Sequence, residues 1–155
     1  MEVKPAVDAS SPSNGPALLQ VGALAIRSGV NGAPEALLLT SRETKRWVIP
    51  KGWPMKGKKD WEAAAQEAKE EAGIVGKARK KPLGDFLYFK RRAAHFDLCK
   101  VVVYRLDYER QLDSYREAGQ REKRWFPLNE AADLVDEQGL ALLLRGMDSS
   151  GFGTT

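Results

Sequence analysis

Apolar residues along this chain fall into short runs separated by turn-forming clusters, which is the spacing of strands rather than long helices. Val21 to Ile26 (VGALAI) reads as a buried strand, SGVNGAP as a turn, and Glu35 to Ser41 (EALLLTS) as the returning strand of a hairpin. RWVIP is a third short β segment ended by Pro50, and KGWPMKGKK after it reads as a loop. The period then changes. From Asp60, a suitable N-cap, Trp61, Ala64, Ala65, Ala68 and Ala72 recur at three- and four-residue intervals, so DWEAAAQEAKEEA is predicted as one helix with Gly73 at its C′ position. Its small alanines suit close packing on a sheet.

Strands return in KKPLGDFLYFK and FDLCKVVVYRLDY, joined by the basic turn RRAAH. QLDSYREAGQREK, polar throughout, is predicted as a long mobile loop. RWFPL is a further strand, and Asn129 is positioned to cap a helix running, with an interruption near Gly139, to Arg145. Residues 1–16, rich in Pro, Ser, Asn and Gly, are expected to be a flexible lead-in, 17–147 one domain and 148–155 a flexible tail. Many strands, one helix in the middle and one at the end give an α+β fold, a mixed-sheet sandwich.

Composition narrows the classes. At 155 residues, 43% hydrophobic and 30% charged, the chain has the make-up of a single globular domain. No apolar run approaches the ~18 residues of a membrane span, and the N-terminus lacks the basic start and apolar centre of a secretory signal. One cysteine, Cys99, excludes an internal disulfide framework and suits a reducing cytoplasm; flanked by Leu98 and valines, it reads as a buried strand thiol. The formal charge of +4 points weakly to an anionic partner. The basic residues are too scattered for a nucleic-acid surface, and the aromatic patterns of common RNA modules are missing.

The acidic residues carry more information. On a helix Glu67, Glu70 and Glu71 stand at i, i+3 and i+4 and share a face. Each such like-charge pair costs an isolated helix roughly 0.2–0.5 kcal/mol, and their place near the C-terminal end sets them against the macrodipole. A solvated acidic face is one explanation. The other is a hard divalent cation, which takes several oxygen ligands converging from one side.

The flanking residues favour the second explanation. Gly52 to Ile74 resembles the Nudix box, G-x5-E-x7-R-E-U-x-E-E-x-G-U with U a bulky aliphatic. Gly52, Glu67, Glu70, Glu71, Gly73 and Ile74 match with the family's spacing, whereas Ala68 stands at an aliphatic position, Lys58 at the first glutamate and Gln66 at the arginine. LLLTSR…RWVIPKG and REKRWFPLNEA are similar to the corresponding stretches of the branch that cleaves diphosphoinositol polyphosphates and diadenosine polyphosphates. The resemblance implies a Nudix-type α/β/α sandwich with a loop–helix–loop catalytic motif. It further implies Mg²⁺ or Mn²⁺ on Glu67, Glu70 and Glu71, and a divalent-metal-dependent cleavage of a phosphoanhydride in a polyphosphate. A fourth carboxylate, as ligand or base, would come from Glu117 or Glu122. The exchange of both members of the family's Glu–Arg pair can be near neutral, with Lys58 bonding Gln66 or facing substrate phosphates. It also fits an alternative, a non-catalytic nucleotide-binding or sensor module.

Around the box, Ser41 and Arg42 are the resemblance's phosphate-contacting residues, and Lys51, Gly52 and Arg27 complete the expected substrate-binding set. Arg46 and His95 are either phosphate contacts or ordinary loop residues, KARKK is expected to be solvated, and Trp47 and Trp125 are expected in or beside the core.

Overall fold

The computed structural model describes residues 17–150. The predicted lead-in and the last five residues of the predicted tail lie outside the described residues. Strand β1 (Leu18–Ser28) and β2 (Pro34–Thr40) form the predicted antiparallel hairpin, with Ile26 opposite Ala36. β3 (Trp47–Val48) pairs with β2, and β4 (Lys51–Gly52) pairs with β1, so the stretch read as loop begins as a two-residue strand. Helix α1 (Asp60–Ala72) follows, then β5 (Ile74–Ala78), β6 (Gly84–Arg91) and the long β7 (Phe96–Gln111). β8 (Lys123–Pro127) and helices α2 (Leu128–Leu134) and α3 (Gln138–Ser150) complete the chain.

One mixed sheet holds these together. β1 and β7 run parallel at its centre, from Leu18 beside Cys99 to Ile26 beside Asp107, and the remaining neighbours are antiparallel. Side chains alternate between faces along β1, as strand geometry requires. Leu24 and Ile26 join Leu38, Val101, Val103 and, from α3, Leu140 and Leu144. Val21, Ala23 and Ala25 instead meet Ala63, Ala64, Ala68 and Ala72 of α1. Alanine against alanine lets α1 lie close on the sheet, while larger side chains fill the opposite layer. The result is the expected α/β/α sandwich, with α1 on one face and α2 and α3 on the other. Cys99 is buried, and Trp47 and Trp125 pack beside the two cores.

Several sequence expectations need correction. The N-cap of α1 is Lys59, whose N–H donates to the Glu62 carboxylate at 2.9 Å, and Asp60 is the first helical residue. Residues 74–78, not anticipated as a strand, pair with β7. The single interrupted helix is two helices broken at Val135, with Pro127 rather than Asn129 at the first N-cap, Gly139 inside α3, and helix continuing past Arg145 through Ser150. The polar loop before β8 is tied down. Leu112 N–H donates to Gly73 O at 2.7 Å and Glu117 N–H to Glu70 O at 3.0 Å, so the loop folds back over the C-terminal end of α1. Gln111 Nε2 adds bonds to the carbonyls of Ala72 and Gly73, two groups that a helix end leaves without intrahelical donors. Gly73, at φ 69°, supplies the left-handed turn that ends α1.

The basic turn between β6 and β7 is also structural in this fold. Asp97, almost fully buried, accepts from Arg92 Nε at 2.7 Å and lies 3.0 Å from His95 Nε2. Burial pushes its carboxyl up, but the bonds from Arg92 and His95 outweigh this and hold it below the usual carboxylate range. A carboxylate lowered on folding stabilises above its unfolded value of about 3.9, and that stabilisation is lost as pH falls through the folded value. Asp97→Asn is expected to cost about 1–3 kcal/mol at pH 7, and the gap to wild type should close below about pH 4 in urea titrations.

Candidate functional site

Helix α1 carries Glu67, Glu70 and Glu71 to the edge where β4 ends and the loop before β8 folds over. Glu71 is buried, 8% exposed, and its carboxyl shares a hydrogen bond with that of the half-buried Glu67. Burial first, and then the bond and charge of Glu67, push the Glu71 carboxyl up to about 9, against the pull of Arg121 and Lys51. Glu67 is raised as well, by its own burial and by the charges of Glu70 and Glu117. Two carboxyls sharing a proton at neutral pH form a coupled acidic pair.

Glu70 faces the same edge but is engaged elsewhere. Its Oε2 accepts from Gln66 Nε2 at 2.7 Å, and its Oε1 is 3.6 Å from Arg116. Among the described residues no three carboxylates stand close enough together to hold a metal as the side chains lie. The structure therefore brings Glu67 and Glu71 together and leaves Glu70 beside them. The donor chemistry fits a hard divalent cation nonetheless, since oxygen donors are what such an ion takes.

Gly52 is packed against the Glu67 member of this pair. A Cβ at that position would run into the Glu67 carboxylate, so the absent side chain is what lets the β4 backbone approach α1. The preceding Lys51 is half-buried, with Nζ 5.0 Å from the centre of the Tyr88 ring. Burial lowers its pKa, while Glu71 and Glu137 oppose that effect. Its ammonium thus lies in the field of the acidic pair. Tyr88 is fixed in turn by its hydroxyl, which donates to the buried Gln20 at 2.7 Å.

Two residues with no individual prominence in the sequence complete the edge. Arg121, with a side chain only 12% exposed, lies 3.9 Å from Glu71 and 3.1 Å from Glu117. It is the cation that makes the acidic burial tolerable. Arg116 approaches Glu70 from solvent. The candidates for a fourth carboxylate also separate. Glu117 is half-buried beside Arg121 and within the field of Glu67, whereas Glu122 is exposed, paired with Arg124 at 3.8 Å.

The remaining sequence candidates sit further out. Ser41 Oγ is 2.6 Å from Thr44 Oγ1 and accepts from the Arg46 N–H at 3.0 Å, shaping the loop after β2. Arg42 is exposed and reaches Gln120 at 3.2 Å. Arg27 is bound to Glu35 at 2.9 Å and lies over the Trp125 ring at 4.4 Å, which leaves it little freedom to meet a ligand. Arg46 pairs with Glu137 at 2.9 Å and ties the loop to the start of α3. Lys58 makes no bond to Gln66 among the described residues, and the Gln66 amide N–H donates to Glu70 instead.

Known proteins resemble this chain in sequence and in fold. Residues 18–145 match the NUDIX domain family. Nudix hydrolase 12, mitochondrial, of Arabidopsis thaliana is 33% identical over 104 residues, covering 64% of this chain and 51% of the relative. Nudix hydrolase 13, mitochondrial, of the same plant is 31% identical over 107 residues, covering 64% and 52%. The chain thus spans about half the length of the curated relatives it matches. Among solved structures, a Caenorhabditis elegans Ap4A hydrolase binary complex superposes with a TM-score of 0.62 at 24% identity, over 86% of this chain and 96% of that one. The NUDIX domain of Shewanella oneidensis NrtR complexed with ADP ribose gives 0.59 at 17% identity, over 85% and 88%. At these identities the structural likeness establishes the fold.

Proposed function

The chain belongs to the NUDIX family, and on that footing we propose that it is a divalent-metal-dependent pyrophosphohydrolase acting on a dinucleoside polyphosphate or an inositol pyrophosphate. The observation that carries this reading is the buried Glu67–Glu71 pair set against the side-chain-free backbone of Gly52. Burying such a pair costs free energy that a bound cation offsets.

Mg²⁺ or Mn²⁺ would be held by Glu67 and Glu71, with Glu70 joining them by exchanging Gln66 and Arg116. When bound it supplies charge neutralisation at phosphate oxygens and a more acidic water. The chain's own groups do the rest. Lys51 offers a positive charge to phosphate oxygens from the β4 side, and Tyr88 keeps it there. Arg121 holds Glu71 and Glu117 in place, and Glu117 is the better situated of the two candidate bases. Ser41 and Arg42, on an exposed loop, are contacts for the outlying part of a long anionic substrate.

The reading is tested by incubating the purified chain with diadenosine polyphosphates, inositol pyrophosphates and a sugar nucleotide, with Mg²⁺ or Mn²⁺, and separating the products. Metal-dependent cleavage of the densely charged substrates, ahead of the sugar nucleotide, is expected. Saturable nucleotide binding without turnover on any substrate would instead identify a non-catalytic module. Within an active enzyme, Lys51→Met is expected to raise KM for the polyphosphate about tenfold with a smaller change in kcat, the pattern of lost substrate binding.

A further inference from the structure

The two positions at which the box departs from its family pattern, Lys58 and Gln66, line a common groove. Its volume is about 550 Å³, and its other walls are Glu62 and Lys69 of α1, Arg110 at the end of β7, and the β5 backbone around Gly76. Glu62, Gln66 and Lys69 follow one another at four- and three-residue spacing, so they form a single stripe on α1. That stripe adjoins the one bearing Glu67, Glu70 and Glu71. Gln66 stands between them, with its amide turned towards Glu70.

The electrostatics of the groove are one-sided. Among the described residues Lys58, Lys69 and Arg110 have no ion-pair partner, whereas the Glu62 carboxylate is already engaged by the Lys59 N–H at 2.9 Å. Three cations therefore face one carboxylate, and the groove carries a net positive charge. With the family's glutamate at position 58 this excess would largely vanish, so the positive groove is a property of this chain's own substitution. Unpaired like charges on one concave surface repel one another, and an anion that bridges them relieves the repulsion. Arg110 contributes a planar fork suited to phosphate, and the two lysines contribute point charges. The size lies within the range of small-molecule sites, roughly 300–1,000 Å³.

We propose that this groove is a second anion-binding site, separate from the carboxylate edge, and that it takes a small phosphorylated ligand between Lys58, Lys69 and Arg110. It stands whether or not the carboxylate edge performs hydrolysis.

The test is a titration of metal-free, ¹⁵N-labelled protein with inorganic pyrophosphate in the presence of a chelator, followed by amide NMR. Saturable shifts are expected at Lys58, Lys69, Gly76, Arg110 and the Gln66 side-chain amide. Lys69→Glu with Arg110→Glu is expected to weaken them at least tenfold, and the charge-matched pair Lys45→Glu with Arg145→Glu to leave them within about twofold. Should the reversed pair fold poorly, Lys58→Ala with Lys69→Ala replaces it, with the same tenfold expectation. Shifts that do not saturate, that centre on Lys51 and Gly52 instead, or that fall equally in the charge-matched control would overturn the proposal. Because no metal is present and no substrate turns over, failure of this test leaves the hydrolytic reading untouched, and the reverse holds too.

Discussion

Glu71→Gln is expected to lower metal-dependent turnover by about 10²–10³-fold while leaving the metal-free protein at least as stable as wild type. The two halves of this prediction come from the same geometry. Glu71 is 8% exposed, shares a hydrogen bond with Glu67, and has its carboxyl pushed up to about 9. In the metal-free fold it is therefore neutral at pH 7, and glutamine resembles that form closely in shape and in its capacity to donate to Glu67. Thermal melting with chelator should show a change within about 1 kcal/mol of wild type. Once a cation has to be held, the substitution removes a charged oxygen ligand that an amide replaces poorly, and turnover falls. If the variant keeps wild-type turnover, Glu71 has no part in the chemistry. If it unfolds, the side chain is an ordinary structural partner of Arg121.

Gly52→Ala is the second large effect, and it acts without removing any charged group. The added Cβ would collide with the Glu67 carboxylate, the flexible end of a side chain rather than backbone. Glu67 can swing aside, so the fold should lose less than about 1 kcal/mol. The carboxylate pair, however, would be pulled apart. Mn²⁺ affinity and turnover are each expected to fall about 10–100-fold, the range found when the support of a metal ligand is disturbed. A circular dichroism melt beside a Mn²⁺ titration separates the two quantities. An alanine variant with unaltered metal affinity would show that the close approach of β4 to α1 is a packing detail.

How much of this was legible before the structure depends on what each residue must satisfy. The alanines and Gly73 of α1 were legible because helix period and C-capping are local rules, and so was the hairpin of β1 and β2, whose apolar runs flank an evident turn. β5 was hidden because only Ile74 of its five residues is fully buried, and lysine and glycine interrupt the pattern. It is a strand because β7 extends far enough to pair with it. The polar stretch before β8 looked free for a similar reason. What holds it are backbone bonds to Gly73 and Glu70, partners some forty residues away in sequence, and such long-range pairing leaves no local periodicity.

That Glu67, Glu70 and Glu71 share one side of α1 was legible from spacing alone; that they suit a cation came only with the flanking residues. Their detailed state was not legible. That Glu67 and Glu71 pair while Glu70 is drawn to Gln66 and Arg116 follows from how the loop lands on the helix end, as does the burial of Arg121 against Glu71 and Glu117. Arg27 shows what spacing alone leaves out. A cation near a strand end suits phosphate in principle, but Glu35 and Trp125 already occupy it here. Lys58 was expected either to bond Gln66 or to face substrate phosphates; Gln66 bonds the neighbouring glutamate, and Lys58 lines a groove.

The proposed function requires that carboxylates on one edge of α1 jointly capture a divalent cation. Its most direct test is Mn²⁺ titration of the wild-type chain and of Glu67→Gln with Glu71→Gln, with free Mn²⁺ read by electron paramagnetic resonance, each with and without nucleotide. One saturable site in the wild type, lost in the double variant while its fold persists, is the predicted result. No saturable binding by the wild type under either condition, or equal binding by both proteins, would contradict the account.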